Sequence, residues 1–301
     1  MELIIRNLSK TYSNGVKALS NVFLTIPKGM FGLLGPNGAG KSTLMRTIAT
    51  LQEADTGSIE LDGIDVLKNK EVVRRQLGYL PQEFGVYPKM SAEAMLDHIA
   101  VLKGVINGRE RREIVKALLH QTNLYEVRKK NLGSFSGGMR QRFGIAQALL
   151  GSPKLIIVDE PTAGLDPAER NRFLNLLSEI GENIVVILST HIVDDVKEIC
   201  KQMAIISRGE VLQQGNPLLA INALQGKIWK KVISKQELAH YSANFSVISS
   251  KLVAGNTEIH VYSDIQPDST FTSVEAELGD VYFSAIAGKG RTTDIQQPAV
   301  A

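Results

Sequence analysis

A nine-residue loop, GPNGAGKST at positions 35–43, constrains the fold of this chain more than any other feature of its sequence. It matches the pattern G-x-x-x-x-G-K-[ST], whose glycines let backbone N–H groups face phosphate oxygens. A mostly apolar stretch, residues 30–34, precedes the loop, and Leu44, Ile48 and Leu51 follow it at helical spacing. A strand, such a loop and a helix in this order predict an α/β core that holds a nucleoside triphosphate. The residues expected to hold it are Gly35, Pro36, Asn37, Gly38, Ala39, Gly40, Lys41, Ser42 and Thr43.

Three side chains at the end of the loop have separate expected roles. Lys41 can reach the β- and γ-phosphates, the Ser42 hydroxyl suits Mg²⁺, and Thr43 can bond the α-phosphate. The helix that starts here adds its partial positive charge. The loop alone leaves open whether the chain is a pump, a motor, a kinase, a switch or a DNA clamp.

Composition and charge narrow the class of protein. The chain has 301 residues and a formal net charge of +3, too small to argue for nucleic acid as an obligate partner. The single cysteine, Cys200, fits a reducing compartment, and its apolar neighbours predict that it packs in the core. The start of the chain lacks the shape of a signal peptide, and apolar runs such as 184–188 are far shorter than a membrane span. We therefore expect a cytoplasmic chain without a membrane span of its own and without a nucleic-acid partner.

Hydrophobic periodicity divides the chain into segments of different type. Residues 1 to about 80 have the pattern of strands and turns, including a hairpin with an Asp62-Gly63 turn. Residues 83–150 have helical patterns, and in one predicted helix Ser91 is the N-cap while Ala92, Met95, Leu96, Ile99 and Leu102 share a face. Strands and helices alternate again over 151–214. The predicted units are a main domain at 1–215 with a helical part at about 83–150, a small C-terminal α+β region at 216–287 and a disordered tail at 288–301.

The segment LIIVDE, residues 155–160, predicts a buried strand that ends in two carboxylates. Asp159 can hold Mg²⁺ directly or through water, and Glu160 can orient a water that attacks the γ-phosphate. Acidic residues also end strands at protein surfaces, so the phosphate loop upstream is what favours a catalytic interpretation.

The segment FSGGMRQR, residues 135–142, predicts a second anion site. Ser136, Gly137 and Gly138 precede a helical pattern, so the backbone at a helix N-terminus is open to a close approach. An ordinary capped helix start remains the alternative for this motif taken alone.

As a set, these motifs resemble those of the nucleotide-binding subunit of an ABC transporter over about residues 1–215. The loop at 35–43 resembles the Walker A motif, LIIVDE the Walker B motif and SGGMR the signature motif. Four further residues stand in segments similar to family motifs: Tyr12 in KTYSNG (the aromatic that stacks on adenine), Gln82 in GYLPQEF (the Q-loop), Asp166 in AGLD (the D-loop) and His191 in LSTHI (the switch histidine).

The resemblance implies a P-loop NTPase fold with a RecA-like parallel core, an antiparallel β-subdomain and a helical insertion, with ATP and Mg²⁺ as cofactors. Two copies, or this chain and a related ATPase subunit, would pack head to tail around two ATP molecules. Each ATP would touch Lys41 of one copy and Ser136 and Gly138 of the other. Closing and opening of the pair would drive a separate transmembrane permease at the inner face of the cell membrane.

The resemblance also implies roles for single side chains. Gln82 would reach the Mg²⁺ and the attacking water, and His191 would contact the γ-phosphate. Asp166 would lie at the dimer seam and also cap its helix, with Glu169 as its capping-box partner. Packing alone remains the alternative for Tyr12.

Two segments resemble the branch of ABC-2-type exporters. The signature helix has Met139 where the family most often has glutamine, and SGGMRQR is typical of that branch. The segment ELGDVYFSAI, residues 277–286, resembles its closing segment, although Gly279 replaces a more usual acidic residue. We therefore expect an exporter subunit that docks through a surface that includes residues 83–98; an importer subunit and a soluble non-transport ABC ATPase stay open as alternatives.

Overall fold

Strands and helices follow one another through residues 1–289, the part of the chain that the computed structural model describes. The strands are β1 (Glu2–Thr11), β2 (Lys17–Pro27), β3 (Gly29–Leu34), β4 (Thr56–Leu61), β5 (Ile64–Asp65), β6 (Leu77–Leu80), β7 (Leu155–Asp159), β8 (Val185–Thr190), β9 (Gln202–Ser207), β10 (Glu210–Gly215), β11 (Ile228–Ile233), β12 (Val247–Val253), β13 (Asn256–Tyr262) and β14 (Thr272–Ser273). The α-helices are α1 (Lys41–Ile48), α2 (Lys70–Arg75), α3 (Ala92–Leu102), α4 (Gly108–Gln121), α5 (Gly137–Leu149), α6 (Pro167–Gly181), α7 (Val193–Ile199), α8 (Pro217–Ala223), α9 (Leu238–Asn244) and α10 (Leu278–Ile286).

The central sheet has six strands in the order β10-β9-β3-β8-β7-β6. All neighbours are parallel except β10, which runs antiparallel to β9. The ends of three strands pair across the sheet: Leu34 of β3 pairs with Thr190 of β8, and Asp159 of β7 pairs with Ser189 of β8. Because parallel strands end at a common edge, the motifs that follow β3, β7 and β8 meet there.

Both faces of this sheet are covered. On one face, α1 and the antiparallel sheet β2-β1-β4-β5 enclose a core that includes Phe31, Leu44 and Ile157. On the other face, α6 and α7 cover a second core that includes Ile156 and Phe173. Since alternate residues of β7 point to opposite cores, every one of them is buried, which explains its continuous apolar sequence.

The antiparallel sheet contains the predicted hairpin. Asp62 and Gly63 have φ angles of 51° and 82°. Positive φ at both central residues is the signature of the tight turn that joins twisted antiparallel strands. The predicted α/β fold of a parallel core, an antiparallel β-subdomain and a helical insertion is confirmed.

Helices α3, α4 and α5 form the helical part around a core of their own. Ser91 caps α3 as predicted, since its hydroxyl accepts a hydrogen bond from the Ala94 N–H at 3.2 Å. Two residues of these apolar patterns are exposed. Leu102, at the end of α3, is 73% exposed, and Leu51 is 59% exposed because α1 ends at Ile48.

Beyond Gly215, the Asn216 side chain caps α8 and the chain builds a third sheet in the order β12-β13-β11-β14. Helix α10 joins this region to the main core, because Val281 and Ala285 pack in the same cluster as Val196 of α7. The domain division at 215 therefore stays a proposal. The predicted tail, 288–301, lies outside the described residues except for Gly288 and Lys289. Within residues 1–289, no helix is both long enough and apolar enough to cross a membrane.

Candidate active site

The phosphate loop is wedged between two parts of the main domain. An added Cβ would lie 2.4 Å from the Ile206 carbonyl oxygen at Gly35 and 2.4 Å from the Ala18 carbonyl oxygen at Gly40. Gly40 is the N-cap of α1, with a φ of 107° and no side chain to bond the first turn. The first N–H groups of that helix therefore remain available to an anion.

Lys41 folds back across the mouth of this loop. It is 6% exposed, and its Nζ donates hydrogen bonds to the carbonyl oxygens of Gly35 at 2.7 Å and Pro36 at 3.3 Å. Burial lowers the pKa of its ammonium, and the carboxylates of Glu160 and Asp159 oppose that shift. The ammonium therefore lies between the loop that would hold the phosphates and the carboxylates at the end of β7.

Asp159 ends β7 and is 6% exposed. Burial raises the pKa of its carboxyl, and the charge of Glu160 raises it further. The hydroxyls of Ser189 and Ser42 and the ammonium of Lys41 act in the opposite direction. The structure thus brings together Ser42 and Asp159, two of the three predicted metal ligands.

Glu160 and His191 form a close pair. The Glu160 Oε2 atom lies 3.0 Å from the His191 Nδ1, and the Glu160 Oε1 atom lies 3.9 Å from the Lys41 Nζ. The Glu160 backbone has a φ of 47°, and its N–H donates to the Ser189 carbonyl oxygen at 2.8 Å. A left-handed backbone at a residue with a side chain costs about 1–3 kcal/mol and is common at active sites. Here the residue with the left-handed backbone is Glu160, whose side chain contacts both Lys41 and His191.

Tyr12 lies beside the phosphate loop. Its hydroxyl lies 3.1 Å from the Thr43 Oγ1 and donates to the Gln52 Oε1 at 3.0 Å. The tyrosine is 37% exposed, so its ring is open to solvent next to the loop. Gln52 is a contact that the sequence patterns did not reveal, because it follows α1 without any motif of its own.

The signature residues lie at the start of α5. The Ser136 hydroxyl accepts a hydrogen bond from the Met139 N–H at 3.2 Å and so caps the helix. A Cβ on Gly138 would lie 2.2 Å from the Glu169 Oε2, whereas one on Gly137 would meet only Leu165, at 3.8 Å. A side chain at Gly138 would therefore have to displace the Glu169 side chain, while Gly137 leaves one side of the helix start open.

The other predicted residues are more peripheral. Asp166 caps α6, since its carboxylate accepts from the Glu169 N–H at 2.9 Å. The predicted capping box is wrong, because the Glu169 side chain instead forms ion pairs with Arg142 at 2.9 Å and Arg172 at 2.8 Å. Gln82 follows β6 at the same edge of the sheet, but its side chain is exposed and makes no hydrogen bond within residues 1–289.

The fold and this site together define a nucleoside triphosphatase with a phosphate-binding loop. Residues 19–163 match the family described as ABC transporter. The linearmycin resistance ATP-binding protein LnrL of Bacillus subtilis (strain 168) is 35% identical over 212 residues, which cover 69% of this chain and 67% of that protein. The methionine import ATP-binding protein MetN of Histophilus somni (strain 129Pt) is 37% identical over 292 residues, which cover 91% of this chain and 81% of that protein.

Solved structures have the same architecture. A dimeric structure of the ATP-binding cassette MJ0796 in a post-hydrolysis state, bound to ADP and Pi, has a TM-score of 0.64 and 28% identity. The match covers 71% of this chain and 98% of that one. This chain therefore belongs to the ABC transporter family of ATP-binding proteins. It binds ATP and is an ATPase.

Proposed function

We propose that this chain is the ATPase subunit of an exporter and drives a separate transmembrane permease through ATP-dependent head-to-tail dimerisation. The observation that most supports ATP hydrolysis as the source of this drive is a cluster of side chains at one edge of the central sheet. Its acidic member, Glu160, lies 3.9 Å from the Lys41 Nζ and 3.0 Å from the His191 Nδ1. A cation, a carboxylate and an imidazole at one edge are the groups needed to hold a γ-phosphate and orient a water beside it.

Glu160 is the proposed group that orients the attacking water, and its side chain is only 13% exposed. A partly buried carboxylate keeps a fixed direction, which favours in-line attack. His191 would contact the γ-phosphate through its other ring nitrogen, Nε2, because Glu160 already bonds its Nδ1. Gln82 would reach the water and the metal from the loop after β6, and Tyr12 would stack on the adenine.

The donor set at the loop fits Mg²⁺. Ser42 and Asp159 offer oxygen atoms, and Mg²⁺ is usually bound by one or two carboxylates together with phosphate oxygens and water. Within residues 1–289, no group of three or more His, Cys, Asp or Glu side chains could hold a metal by itself. When bound, Mg²⁺ neutralises phosphate charge, and Ser42, Asp159 and Gln82 are its proposed ligands.

The signature motif supports the head-to-tail dimer. In the part of the chain that the structure describes, no hydrogen bond or ion pair links Ser136, Gly137 or Gly138 to the phosphate loop. An open helix start without a ligand in its own chain suits the nucleotide of a second cassette. The partner would be a second copy or a related ATPase subunit, with the exposed Asp166 at the seam. The likeness to the cassette MJ0796, whose structure is dimeric, supports a dimer.

Export is the proposed direction because the signature helix and the segment 277–286 resemble the ABC-2-type exporters. The similarity to a linearmycin resistance ATP-binding protein agrees with that direction. Import is the second candidate, and one observation favours it. The match to a methionine import ATP-binding protein covers 91% of this chain and so reaches into the C-terminal region.

The proposed docking surface for the permease includes residues 83–98. Within this range, Tyr87 is 63% exposed, and Phe84 packs on the core beside Leu80. A segment that starts beside Gln82 and carries an exposed aromatic ring suits a contact that responds to the nucleotide. The proposed location is accordingly the cytoplasmic face of the membrane, as a peripheral subunit.

The test uses the Glu160→Gln variant, trapped with ATP and recovered from membranes of the source cell. We expect hydrolysis to be nearly lost, ATP binding to persist, and a multi-span membrane protein to be the main chain recovered. Glu179→Gln, a change at an exposed glutamate on α6, is the matched control and should hydrolyse ATP at the wild-type rate.

Three outcomes would count against parts of this proposal. Unchanged hydrolysis in Glu160→Gln would remove Glu160 from its role. Recovery of ribosomes, DNA-bound complexes or no membrane protein would favour a soluble ABC ATPase. A substrate-binding protein recovered with the permease would favour import over export.

A further inference from the structure

Asp195 is a buried carboxylate for which the proposed mechanism has no role. It lies in α7, four residues after His191, and its relative exposure is 0%. A buried charge of this kind is tolerated only when its oxygens are paired and hydrogen-bonded. The partners of Asp195 come from three separate elements around the active site.

One oxygen of Asp195 is held by a helix and the other by two threonines. Its Oδ1 accepts from Arg170 of α6, whose Nε and Nη2 each lie 2.6 Å away. Its Oδ2 accepts from the Thr162 hydroxyl at 2.6 Å and lies 3.4 Å from the Thr190 hydroxyl. Both threonines are buried, with exposures of 3% and 1%.

Each of these two threonines is a close sequence neighbour of Glu160 or of His191. Thr162 follows Glu160 by two residues, and Thr190 directly precedes His191. The Thr190 Oγ1 also accepts from the Ile192 N–H at 2.9 Å, so it fixes the backbone on the other side of the histidine. The carboxylate of Asp195 thus ties the segment that carries Glu160 to the segment that carries His191.

The His191 ring has few other constraints. Its side chain is 53% exposed, and its one hydrogen bond within residues 1–289 is the 3.0 Å contact with Glu160. Its position therefore depends on its backbone anchors. A misplacement of about 1 Å of a reacting group can reduce a rate by about 100-fold.

We propose that Asp195 is a positioning residue for ATP hydrolysis, which fixes the distance between Glu160 and His191 through Thr162 and Thr190. The inference rests on the proposed roles of Glu160 and His191. Asp195 itself touches neither the nucleotide nor the water.

The first experiment measures kcat and KM for ATP in Thr162→Val and Asp195→Asn. Thr162→Val removes one hydrogen bond at nearly constant volume and leaves the ion pair with Arg170 in place. We expect kcat to fall by about 10-fold in Thr162→Val and by about 100-fold in Asp195→Asn, with KM changed by less than about 3-fold.

The matched control is Asp280→Asn. Asp280 is also buried, at 4% exposure, and lies 2.7 Å from the His260 Nδ1 in the C-terminal region. It controls for the general loss of a buried, hydrogen-bonded carboxylate, and its kcat should stay within about 2-fold of the wild-type value. An equal loss of kcat in Asp280→Asn would overturn the inference.

A double-mutant cycle with His191→Ala separates positioning from general damage, with single-turnover phosphate release as the readout. We expect Asp195→Asn to reduce hydrolysis strongly when His191 is present and by less than about 2-fold when it is absent. A full and independent loss in both backgrounds would overturn the role of Asp195 but leave the proposed function intact. Wild-type hydrolysis in His191→Ala alone would instead overturn the proposed site, and the inference with it.

Hydrogen exchange reports the same anchor without any activity. The amides of residues 190–195 should exchange faster in Asp195→Asn and Thr162→Val than in the wild type, and at the wild-type rate in Asp280→Asn. Unchanged exchange in this segment in both of the first two variants would overturn the inference even if their activity fell.

Discussion

Replacing Gly40 by alanine should destabilise the protein far more than the same change at Gly38. Gly40 has a φ of 107°, and an added Cβ would lie 2.4 Å from the Ala18 carbonyl oxygen, 3.3 Å from the Leu19 side chain and 3.5 Å from Gly209. Gly38 has a φ of 77° and no atom within 4 Å of its added Cβ. Both changes carry a backbone strain of about 1–3 kcal/mol. Gly40→Ala adds overpacking of about 1–3 kcal/mol, because a carbonyl oxygen in a paired strand cannot move aside freely.

The expected loss is therefore about 2–6 kcal/mol for Gly40→Ala and about 1–3 kcal/mol for Gly38→Ala. Urea unfolding followed by far-UV circular dichroism, without nucleotide, measures both values, because nucleotide binding would add its own stabilisation. A loss in Gly40→Ala that is equal to or smaller than that in Gly38→Ala, at an unchanged m-value, would refute the steric reasoning.

Three further predictions concern Asp159, the start of α5 and Cys200. Asp159→Asn should abolish measurable hydrolysis yet raise the free energy of unfolding at pH 7, because burial raises the pKa of this carboxyl and its charged form therefore destabilises the fold. The gain in stability over wild type should shrink as the pH falls through the raised pKa, and it should vanish below the unfolded pKa of 3.8. Urea unfolding at a series of pH values measures this gain. Gly137→Ala should keep wild-type stability but lose ATP-dependent dimerisation in light scattering. Gly138→Ala should also lose about 1–3 kcal/mol of stability, because its Cβ would push the Glu169 carboxylate away from Arg142; equal stability in the two variants would contradict this packing. Cys200 should resist alkylation at pH 8 until the protein unfolds, because burial raises the pKa of its thiol; rapid labelling of the native protein, read by mass spectrometry, would contradict this.

The parts of the fold that the sequence predicted are those in which local rules and tertiary structure agree. The run Leu155–Val158 has no polar residue because both faces of β7 are covered, so its burial could be inferred from composition alone. The turn at Asp62-Gly63 needs positive φ at both positions, which few residue pairs allow. Such features depend mainly on residues that are close in the chain, so they can be predicted from the sequence.

The sequence patterns misled where the surroundings of a residue are set by distant parts of the chain. Leu102 matches the apolar face of α3 in the sequence, but its burial depends on where the neighbouring helices end. Glu169 has the spacing of a capping-box residue, yet Arg142, 27 residues earlier in the chain, and Arg172 take its carboxylate. For such residues, a partner distant in sequence decides the outcome, and no local pattern records it.

Two neighbouring residues near the start of α6 form ion pairs with the helices on either side, α5 and α7. Glu169 forms an ion pair with Arg142 of α5 at 2.9 Å, and the next residue, Arg170, pairs with Asp195 of α7 at 2.6 Å. Consecutive helical residues point about 100° apart, so one turn of α6 reaches α5 on one side and α7 on the other. Because both pairs are largely shielded from water, breaking either would leave a poorly solvated charge, which is strongly unfavourable. We therefore expect a shift of α6 at its Asp166 end to carry α5 and α7 with it, so that the proposed dimer seam, the start of α5 and the pair of Glu160 and His191 move together.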